Sequence, residues 1–456
     1  MEAKTVKSNM TDMTQGSPAG LILFFALPLL VGNMFQQLYN MVDSIVVGRF
    51  VGSTALAAVG TAFPVVFLLS SMFMGLGIGA MVMVSQFYGA GDAERLKATI
   101  DTIYTALIVG IVPLSIVGIL VSRPIIALLA VPADTADQCW IYMVIVLGGL
   151  IGSLGYNANS GILQGLGDSK TPLLFLVIAC IINIVLDLLF VVVFHWGVAG
   201  VAIATIIAQA FSWIFGIFYI NKKYPQIHIH PFCFKFDKAL FGQIVKLGVP
   251  AGVQQALFSF GVMAMQRLIN SFGSAMLEGY TAGYRVESFV TLPVISFNVG
   301  LATFTGQNIG AGQMDRVKTG HWQTLIMAVA ASGVIAVLIT VLAGPLVRLF
   351  GCEGEALMIG QTYLRFIAKW LVVFAVLFVT KGLLHGAGDV TTATIITVFT
   401  LILRVGSGYY MATIPSIGRA AVWYALAIDF SVGTVLILLR YFTGGWKKKA
   451  VVKAEA

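Results

Sequence analysis

Two segments of this chain repeat one another: Ser85–Lys97 reads SQFYGAGDAERLK, and Gly306–Lys318 reads GQNIGAGQMDRVK. Six residues are shared, including the GAG motif, and each recurs 221 positions later. A second pair of motifs has the same offset, because GILQGLGD begins at Gly161 and GLLHGAGD begins at Gly382. Matching motifs at one constant offset indicate an internal duplication.

The composition indicates what each half contains. Of the 456 residues, 59% are hydrophobic and 10% are charged, whereas soluble domains carry about 25% charged residues. Apolar runs that approach or exceed the roughly 20 residues needed to cross a bilayer occur twelve times. They lie near 20–45, 54–84, 98–120, 138–163, 172–194, 198–220, 247–270, 276–304, 320–342, 357–380, 393–413 and 421–442. The sequence therefore predicts an all-α polytopic membrane protein.

Six spans in each half return the chain to the side from which it started. We therefore expect two six-helix lobes related by a pseudo-two-fold axis along the membrane normal, an arrangement typical of alternating-access transporters. The expected organisation is an N-terminal tail at 1–19, lobes at 20–220 and 247–442, a basic linker at 221–246 and a basic tail at 443–456.

The basic residues indicate how the spans are oriented. Most lysines and arginines fall in loops on one side, among them Lys4, Lys7, Lys170, Lys381 and Lys447–Lys449. Such loops face the cytoplasm. We therefore expect a protein of the cytoplasmic membrane with both termini in the cytoplasm. The net charge of +8 reflects these loops and does not indicate a nucleic-acid partner.

Several kinds of chemistry lack support in the sequence. No Gly-Lys-Ser/Thr follows the glycine motifs, which are therefore predicted to be turns and helix C-caps, not phosphate loops. The five histidines and four cysteines lack the spacing of a metal or catalytic site. The linker stretch HIHPFCFKF, from His228 to Phe236, has the composition of a segment at lipid headgroups. We expect no cofactor and no enzymatic activity.

Polar residues within the spans mark candidate sites, because a charge at the bilayer centre costs about 2.5–3.5 kcal/mol on insertion scales. In span 1, Gln36, Tyr39, Asn40 and Asp43 share one helix face. We expect this face to border protein or a substrate cleft, with Met265 a further cleft candidate because thioethers adapt to varied ligands. Asp43 is either a functional acid or the outer end of the span near water.

Asp187 lies in an apolar segment about 15 residues into span 5, which is ~22 Å along the helix. Asn183 lies one helical turn earlier on the same face. This acid–amide pair predicts a buried site for a proton or monovalent cation, and the alternative is a structural hydrogen bond to a neighbouring helix. Asn157 belongs to a polar stripe in span 4, and Thr205 in span 6 is a candidate to lie opposite it.

The two halves differ in their acids. At the repeat offset, Asn183 corresponds to Arg404 and Asp187 to Gly408, so the acid–amide pair occurs only in the first half. The charged residues in the spans of the second half include Arg285, Glu287, Arg404 and Asp429. We expect a structural charge network there, with Arg404 also a candidate to place positive charge beside a cleft and Asp429 unassigned.

Three stretches resemble the multidrug and toxic compound extrusion (MATE) family: LPLLVGNMFQQLYNMVDSIVVGR in span 1, YNANSGILQGLGDSKTP at the junction of spans 4 and 5, and NIVLD in span 5. The resemblance covers essentially the whole chain and is to the branch with acids in the N-terminal lobe. It implies that Asp43 and Asp187 couple transport to a cation. The other residues that it implies for this pocket are Asn157, Asn183, Thr205 and Tyr142.

What the resemblance implies is an antiporter that exports amphipathic, often cationic, compounds while a proton or sodium ion enters. A proton is favoured because an acid beside an amide needs no further ligands to be protonated. We expect small organic substrates, a bilayer environment and a monomer. The alternative in the same superfamily is a flippase or exporter of a lipid or lipid-linked precursor.

Overall fold

The computed structural model describes residues 12–128 and 131–452, and over these residues it is helical without a strand. The α-helices are α1 (Pro18–Val46), α2 (Ser53–Ala90), α3 (Ala93–Leu128), α4 (Ala133–Gly148), α5 (Leu150–Gly165), α6 (Lys170–Asp187), α7 (Gly197–Lys223), α8 (Lys238–Asn270), α9 (Ser274–Val290), α10 (Leu292–Gly310), α11 (Met314–Arg348), α12 (Gly354–Gly386), α13 (Val390–Ala412) and α14 (Ala421–Phe442). Two π-helical segments, Val47–Val51 and Leu188–Val193, extend α1 and α6.

The helices confirm the predicted membrane spans. Within the described ranges, 11 spans are long and apolar enough to cross a bilayer, and there are 12 when the bent pair α4 and α5 counts as one span. This pair bends by 48° at Gly149. A Cβ on Gly149 would lie only 2.4 Å from Cγ2 of Ile206 in α7, so the close packing of the bent span requires glycine.

The repeated glycine motifs form turns, as predicted. Gly91 and Gly312, which correspond at the repeat offset, both have φ of 72°. This left-handed conformation favours glycine because other residues place their Cβ against the backbone. Each motif therefore ends one helix and begins the next at the same point of the two halves.

The described helices form two compact units. Unit 1 contains Val31–Ala256, and unit 2 contains Met13–Leu30 together with the described residues from Leu257 onward. These boundaries differ from the expected lobes at 20–220 and 247–442, because α1 and α8 are each divided between the units. Each divided helix contains a proline near its division, Pro28 in α1 and Pro250 in α8.

The packing of unit 2 explains why it includes the start of α1. Ile22 and Phe25 belong to its apolar core. Just before the helix, the N–H of Met13 donates to Oε1 of Gln307 at 2.9 Å, and Nδ2 of Asn308 donates to the Met13 carbonyl at 3.1 Å. The first turns of α1 are therefore held by both apolar and polar contacts within unit 2.

Unit 1 includes the start of α8 because that part of the helix packs tightly against α2. A Cβ on Gly75 in α2 would lie 2.3 Å from the carbonyl oxygen of Gly248 in α8. Small residues at such positions let helix backbones approach closely in a membrane.

Two charged residues lie elsewhere than the sequence suggested. Lys381, expected in a basic loop, lies inside α12 with 7% of its surface exposed, and its Nζ is 5.3 Å from the centre of the Phe378 ring. Arg285, expected within a buried charge network, is exposed. The loop rule misplaced Lys381 because α12 continues past the apolar run from which the span was predicted.

Candidate functional site

The predicted acids meet within unit 1. Asp43 lies near the end of α1, Asp187 is the last residue of α6, and their carboxyl groups are within hydrogen-bonding reach of each other. Asp187 is 1% exposed, and Asp43 is half-buried. The pattern of span 1 left open whether Asp43 faces protein or water, and the contact with Asp187 places it against protein.

Each acid lies within one turn before a π-helical segment. Asp187 immediately precedes Leu188–Val193, and Asp43 lies one turn before Val47–Val51. A π-helical turn shifts the backbone hydrogen bonds by one residue, and such turns are frequent at functional sites. The two helices that hold the acids are therefore irregular at the same point, just beyond the carboxyl groups.

Asn183 connects Asp187 to α7. The orientation of its amide that satisfies both ends has Nδ2 donating to Oδ2 of Asp187 at 3.0 Å and the amide oxygen accepting from the N–H of Thr205 at 3.2 Å. Amide orientation is assigned from such hydrogen bonds. Asn183 is 1% exposed. The acid–amide pair that the sequence predicted on one helix face is thus also hydrogen-bonded to the neighbouring helix α7.

Two tyrosines complete the surroundings of the acids. The Tyr39 hydroxyl is within hydrogen-bonding reach of Thr205. Because the Thr205 hydroxyl donates its own proton to the Val201 carbonyl at 3.0 Å, its oxygen is left to accept from Tyr39. Tyr142, 8% exposed, lies close enough to interact electrostatically with both carboxyl groups.

The two carboxyl groups are incompletely satisfied. Among the described residues, neither Oδ1 of Asp43 nor Oδ1 of Asp187 has a hydrogen-bond partner, and both atoms are buried. Two adjacent carboxylates in a low-dielectric interior repel each other, so both are not charged at once without a compensating cation. A hydrogen bond between two carboxyl groups itself requires a proton on one of them. This arrangement is suited to hold a proton or a small monovalent cation.

Other predicted residues do not join this group. Nδ2 of Asn157 donates to the Ser153 carbonyl of its own helix at 2.8 Å, and no described contact connects it to the acids. Gln36 and Asn40 are exposed on α1. Met265 is 1% exposed in the core of unit 2, so its side chain does not present a surface to a cleft.

Three of the charged residues in the spans of unit 2 have identified partners. Arg404 lies 3.7 Å from Asp429, measured from Nη1 to Oδ2, and both side chains are largely buried. Glu287 accepts a hydrogen bond from the Tyr363 hydroxyl. The sequence left Asp429 unassigned because its partner Arg404 lies on a different helix, α13, against which α14 packs. Arg404, offered as a cleft residue, is held in this pair.

A role for the aspartates that end the GLGD and GAGD motifs was missed. Asp168 accepts hydrogen bonds from Lys223 Nζ at 2.8 Å, from the Tyr224 hydroxyl at 2.6 Å and from Thr171 Oγ1 at 2.6 Å. Its repeat partner Asp389 accepts from Nε of Arg440 at 2.6 Å. Each aspartate thus ties the start of one helix to the end of the next one in the chain.

The hydrogen bonds at Asp168 determine its charge state. Burial raises the pKa of this carboxyl group, but the hydrogen bonds from Lys223, Thr171 and Tyr224 outweigh burial and leave the pKa below its ordinary value. Asp168 is therefore a charged structural tie, unlike the acid pair at Asp43 and Asp187.

Comparison with known proteins identifies the family. The MatE family model matches the chain twice, over residues 28–189 and 250–410, which confirms the duplication. The chain is 31% identical over 440 residues to the probable multidrug resistance protein YpnP of Bacillus subtilis (strain 168), covering 96% of this chain and 97% of that protein. It is 30% identical over 447 residues to the probable multidrug resistance protein YoeA of the same organism, covering 94% of each.

A solved structure has the same fold. It is described as the outward-facing conformation of a multidrug resistance MATE family transporter of the MOP superfamily, with a TM-score of 0.87, 23% sequence identity and coverage of 97% of this chain and 99% of that chain. Many apolar spans in two related halves define a multi-pass membrane protein. The chain belongs to the MatE family, whose members are secondary transporters and not enzymes.

Proposed function

We propose that this protein is an antiporter that exports amphipathic, often cationic, organic compounds in exchange for a cation bound at Asp43 and Asp187. The observation that carries the proposal is the contact between these two buried carboxyl groups, each with an unpartnered oxygen. The names of the relatives support the substrate class, since YpnP and YoeA are described as probable multidrug resistance proteins.

The exchanged cation is a proton in preference to sodium. A proton needs one oxygen atom, whereas a sodium ion needs several ligands at once. The nearby amide oxygen of Asn183 already accepts from the Thr205 N–H at 3.2 Å, and the Thr205 hydroxyl already donates to Val201. The two unpartnered carboxyl oxygens therefore suit a proton better than they suit a metal ion.

Occupancy of the site acts on α1. With a proton bound, Asp43 and Asp187 hydrogen-bond and hold α1 against α6. Without it, two negative charges face each other in a medium of low dielectric and repel. Pro28 removes a backbone hydrogen bond within α1 and allows the helix to bend. The proton thereby favours one position of α1 over another, which is the bias that an exchanger requires.

The basic residues support a proposal about location. We propose that the protein lies in the cytoplasmic membrane with both termini in the cytoplasm, because the predicted loops on that side carry most of the basic residues. We also propose that it acts as a monomer, since its two units are both supplied by one chain.

The test is efflux of a cationic dye from proteoliposomes under an imposed pH gradient, with and without sodium. Asp187→Asn keeps the size of the side chain and removes its ability to ionise, so we expect gradient-driven efflux to be lost. Asp137→Asn is the matched control, because Asp137 is an exposed acid of the same unit. Unchanged elution of both variants on size exclusion would show that folding is retained.

Three results would contradict parts of the proposal. Normal efflux by Asp187→Asn would exclude the carboxyl pair as the coupling site. Efflux that requires sodium would keep the site and change the ion. Absence of efflux for every cationic dye would favour the flippase alternative, which transport of a fluorescent lipid in the same proteoliposomes then measures.

A further inference from the structure

A short segment between α7 and α8 exposes three large apolar side chains. This aromatic segment, Pro231–Lys238, reads PFCFKFDK. Phe232 is 71% exposed, Phe234 is 54% exposed and Phe236 is 49% exposed. Three exposed phenylalanines within five residues are unusual for a surface in contact with water, and clustered exposed apolar side chains commonly mark an interaction site.

Contacts on both sides hold the aromatic segment in place. Before it, Asn221 accepts from the N–H of Ile229 at 2.6 Å and donates through Nδ2 to the Ile229 carbonyl at 2.9 Å. Within it, Thr105 Oγ1 donates to the carbonyl of Lys235 at 2.8 Å. Ile229 is 2% exposed, so the chain that leads into the segment is packed into unit 1.

The backbone of the segment is strained at its centre. Phe234 has φ of 47°, in the left-handed region that residues with a Cβ disfavour. Strain of this kind persists where the surrounding structure imposes it and is often found at binding sites. Here it accompanies the outward direction of three neighbouring rings.

The segment lies at a membrane surface. The preceding span ends at Lys223 and the following span begins at Lys238. Since an extended chain covers at most about 3.5 Å per residue, Phe236 lies within about 7 Å of the start of the span, and Phe232 within about 21 Å. Phe236 is therefore close to the start of the following span, and the other two rings precede it by two and four residues in the chain.

Exposed lysines flank the rings, while Glu94 and Asp101 of α3 line a pocket together with Lys235 and Phe236. Lys222, Lys235 and Lys238 are exposed, and over the residues that the structure describes none of them forms an ion pair. The one carboxylate of the segment, Asp237, caps α8 by accepting from the N–H groups of Ala239 at 2.8 Å and Leu240 at 3.0 Å. The segment thus combines free lysines with exposed rings, the composition that binds anionic lipid surfaces.

We propose that the aromatic segment is a binding surface for anionic phospholipids. Phe232, Phe234 and Phe236 insert at the boundary between headgroups and acyl chains, while Lys235 and Lys238 contact lipid phosphates. The surface fixes the connection between α7 and α8 to the bilayer and makes its position sensitive to lipid charge. It is independent of the exchange proposed at Asp43 and Asp187.

The chain carries its own labelling site for the test. Cys233 is exposed, whereas Cys139, Cys180 and Cys352 are buried. An environment-sensitive fluorophore on Cys233 of the full-length protein is compared in lipid nanodiscs of phosphatidylcholine alone and of equal parts phosphatidylcholine and phosphatidylglycerol. We expect the fluorophore emission to shift to the blue. We also expect it to be quenched by lipids that carry a quencher just below the headgroup. Both the shift and the quenching should be larger when phosphatidylglycerol is present.

The control places the label on a polar turn. The variant Cys233→Ser with Asp315→Cys moves the thiol to the first turn of α11, where the Asp315 side chain is 96% exposed. We expect this label to report water in both lipid mixtures. Lipid quenching that is equal at the two positions would contradict the proposal, as would strong quenching of the Cys233 label by aqueous iodide.

Two sets of substitutions separate the rings from the charges. Replacing Phe232, Phe234 and Phe236 together by serine should abolish lipid quenching. Lys235→Gln with Lys238→Gln should retain quenching but weaken the preference for phosphatidylglycerol, by about fivefold for each lysine. A signal that depends on protein concentration instead of lipid composition would overturn the proposal in favour of self-association through the rings.

Discussion

In unit 1 the acids Asp43 and Asp187 lie against each other, whereas in unit 2 the acid Asp429 lies 3.7 Å from Arg404. The two units derive from one duplicated sequence, so the difference arose at particular positions. An acid beside an arginine is already neutralised. An acid beside an acid is not, and it requires a proton or cation from outside. The comparison supports the proposal that exchange takes place in unit 1, where the two acids are not neutralised, and that the pair of Arg404 and Asp429 in unit 2 has a structural role.

The largest expected effect is on efflux and comes from removing both acids of the unit 1 pair. The matched change removes both members of the unit 2 ion pair. Asp43→Asn with Asp187→Asn should abolish efflux driven by a pH gradient. Arg404→Met with Asp429→Leu should leave efflux measurable, because replacing a whole buried ion pair by apolar residues is often neutral or stabilising. The dye assay in proteoliposomes measures both. Equal loss of efflux in the two double variants would remove the distinction between the units.

Removing only half of the unit 2 pair should cost stability. Arg404→Met alone leaves Asp429 buried without its partner, and breaking a buried pair in this way costs about 3–5 kcal/mol. The double variant should recover part of this loss, which a double-mutant cycle of thermal unfolding in detergent would detect. Additive losses would mean that Arg404 and Asp429 do not interact, contrary to the observed contact.

Weakening the hydrogen bonds that Asp168 and Asp389 accept should have a smaller effect on stability. The effect should be similar in both units. Asp168→Asn removes the charge that accepts from Lys223, and Asp389→Asn removes the charge that accepts from Arg440. Hydrogen bonds to charged groups contribute about 1.5–3 kcal/mol each. Thermal unfolding of the two variants should therefore show losses of this size. A loss in one variant only would show that the two ties are not equivalent.

The smallest expected effect is the pH dependence of the stability that the charged Asp168 carboxyl group contributes. Its folded-state pKa lies below the ordinary value, so its charge stabilises the folded state above the unfolded pKa of about 3.9. This contribution is lost as the pH falls through the folded-state pKa. The difference in unfolding temperature between the natural chain and Asp168→Asn should therefore narrow in acid. A difference that widens in acid would contradict the assigned sign.

The site illustrates how far local patterns extend. Asn183 and Asp187 were predicted together because they lie one turn apart on a single helix. Asp43 was left between two interpretations because nothing local showed what its helix face contacts. The ion pair of Arg404 with Asp429 left no local signal, since its members lie on different helices. Lys381 was misplaced because an apolar run does not mark where a long helix ends.

By itself, the sequence determined that the chain crosses a membrane many times, that it consists of two related halves, and that one half carries an acid–amide pair in a span. These properties depend on the hydropathy and spacing of residues close along the chain and on one constant offset. Only the tertiary structure decided that Asp43 contacts Asp187, that Asp429 is neutralised by Arg404, and that α1 and α8 are each divided between the units. Those contacts depend on the depth and rotation of each helix against its neighbours, which helical periodicity restricts but does not define.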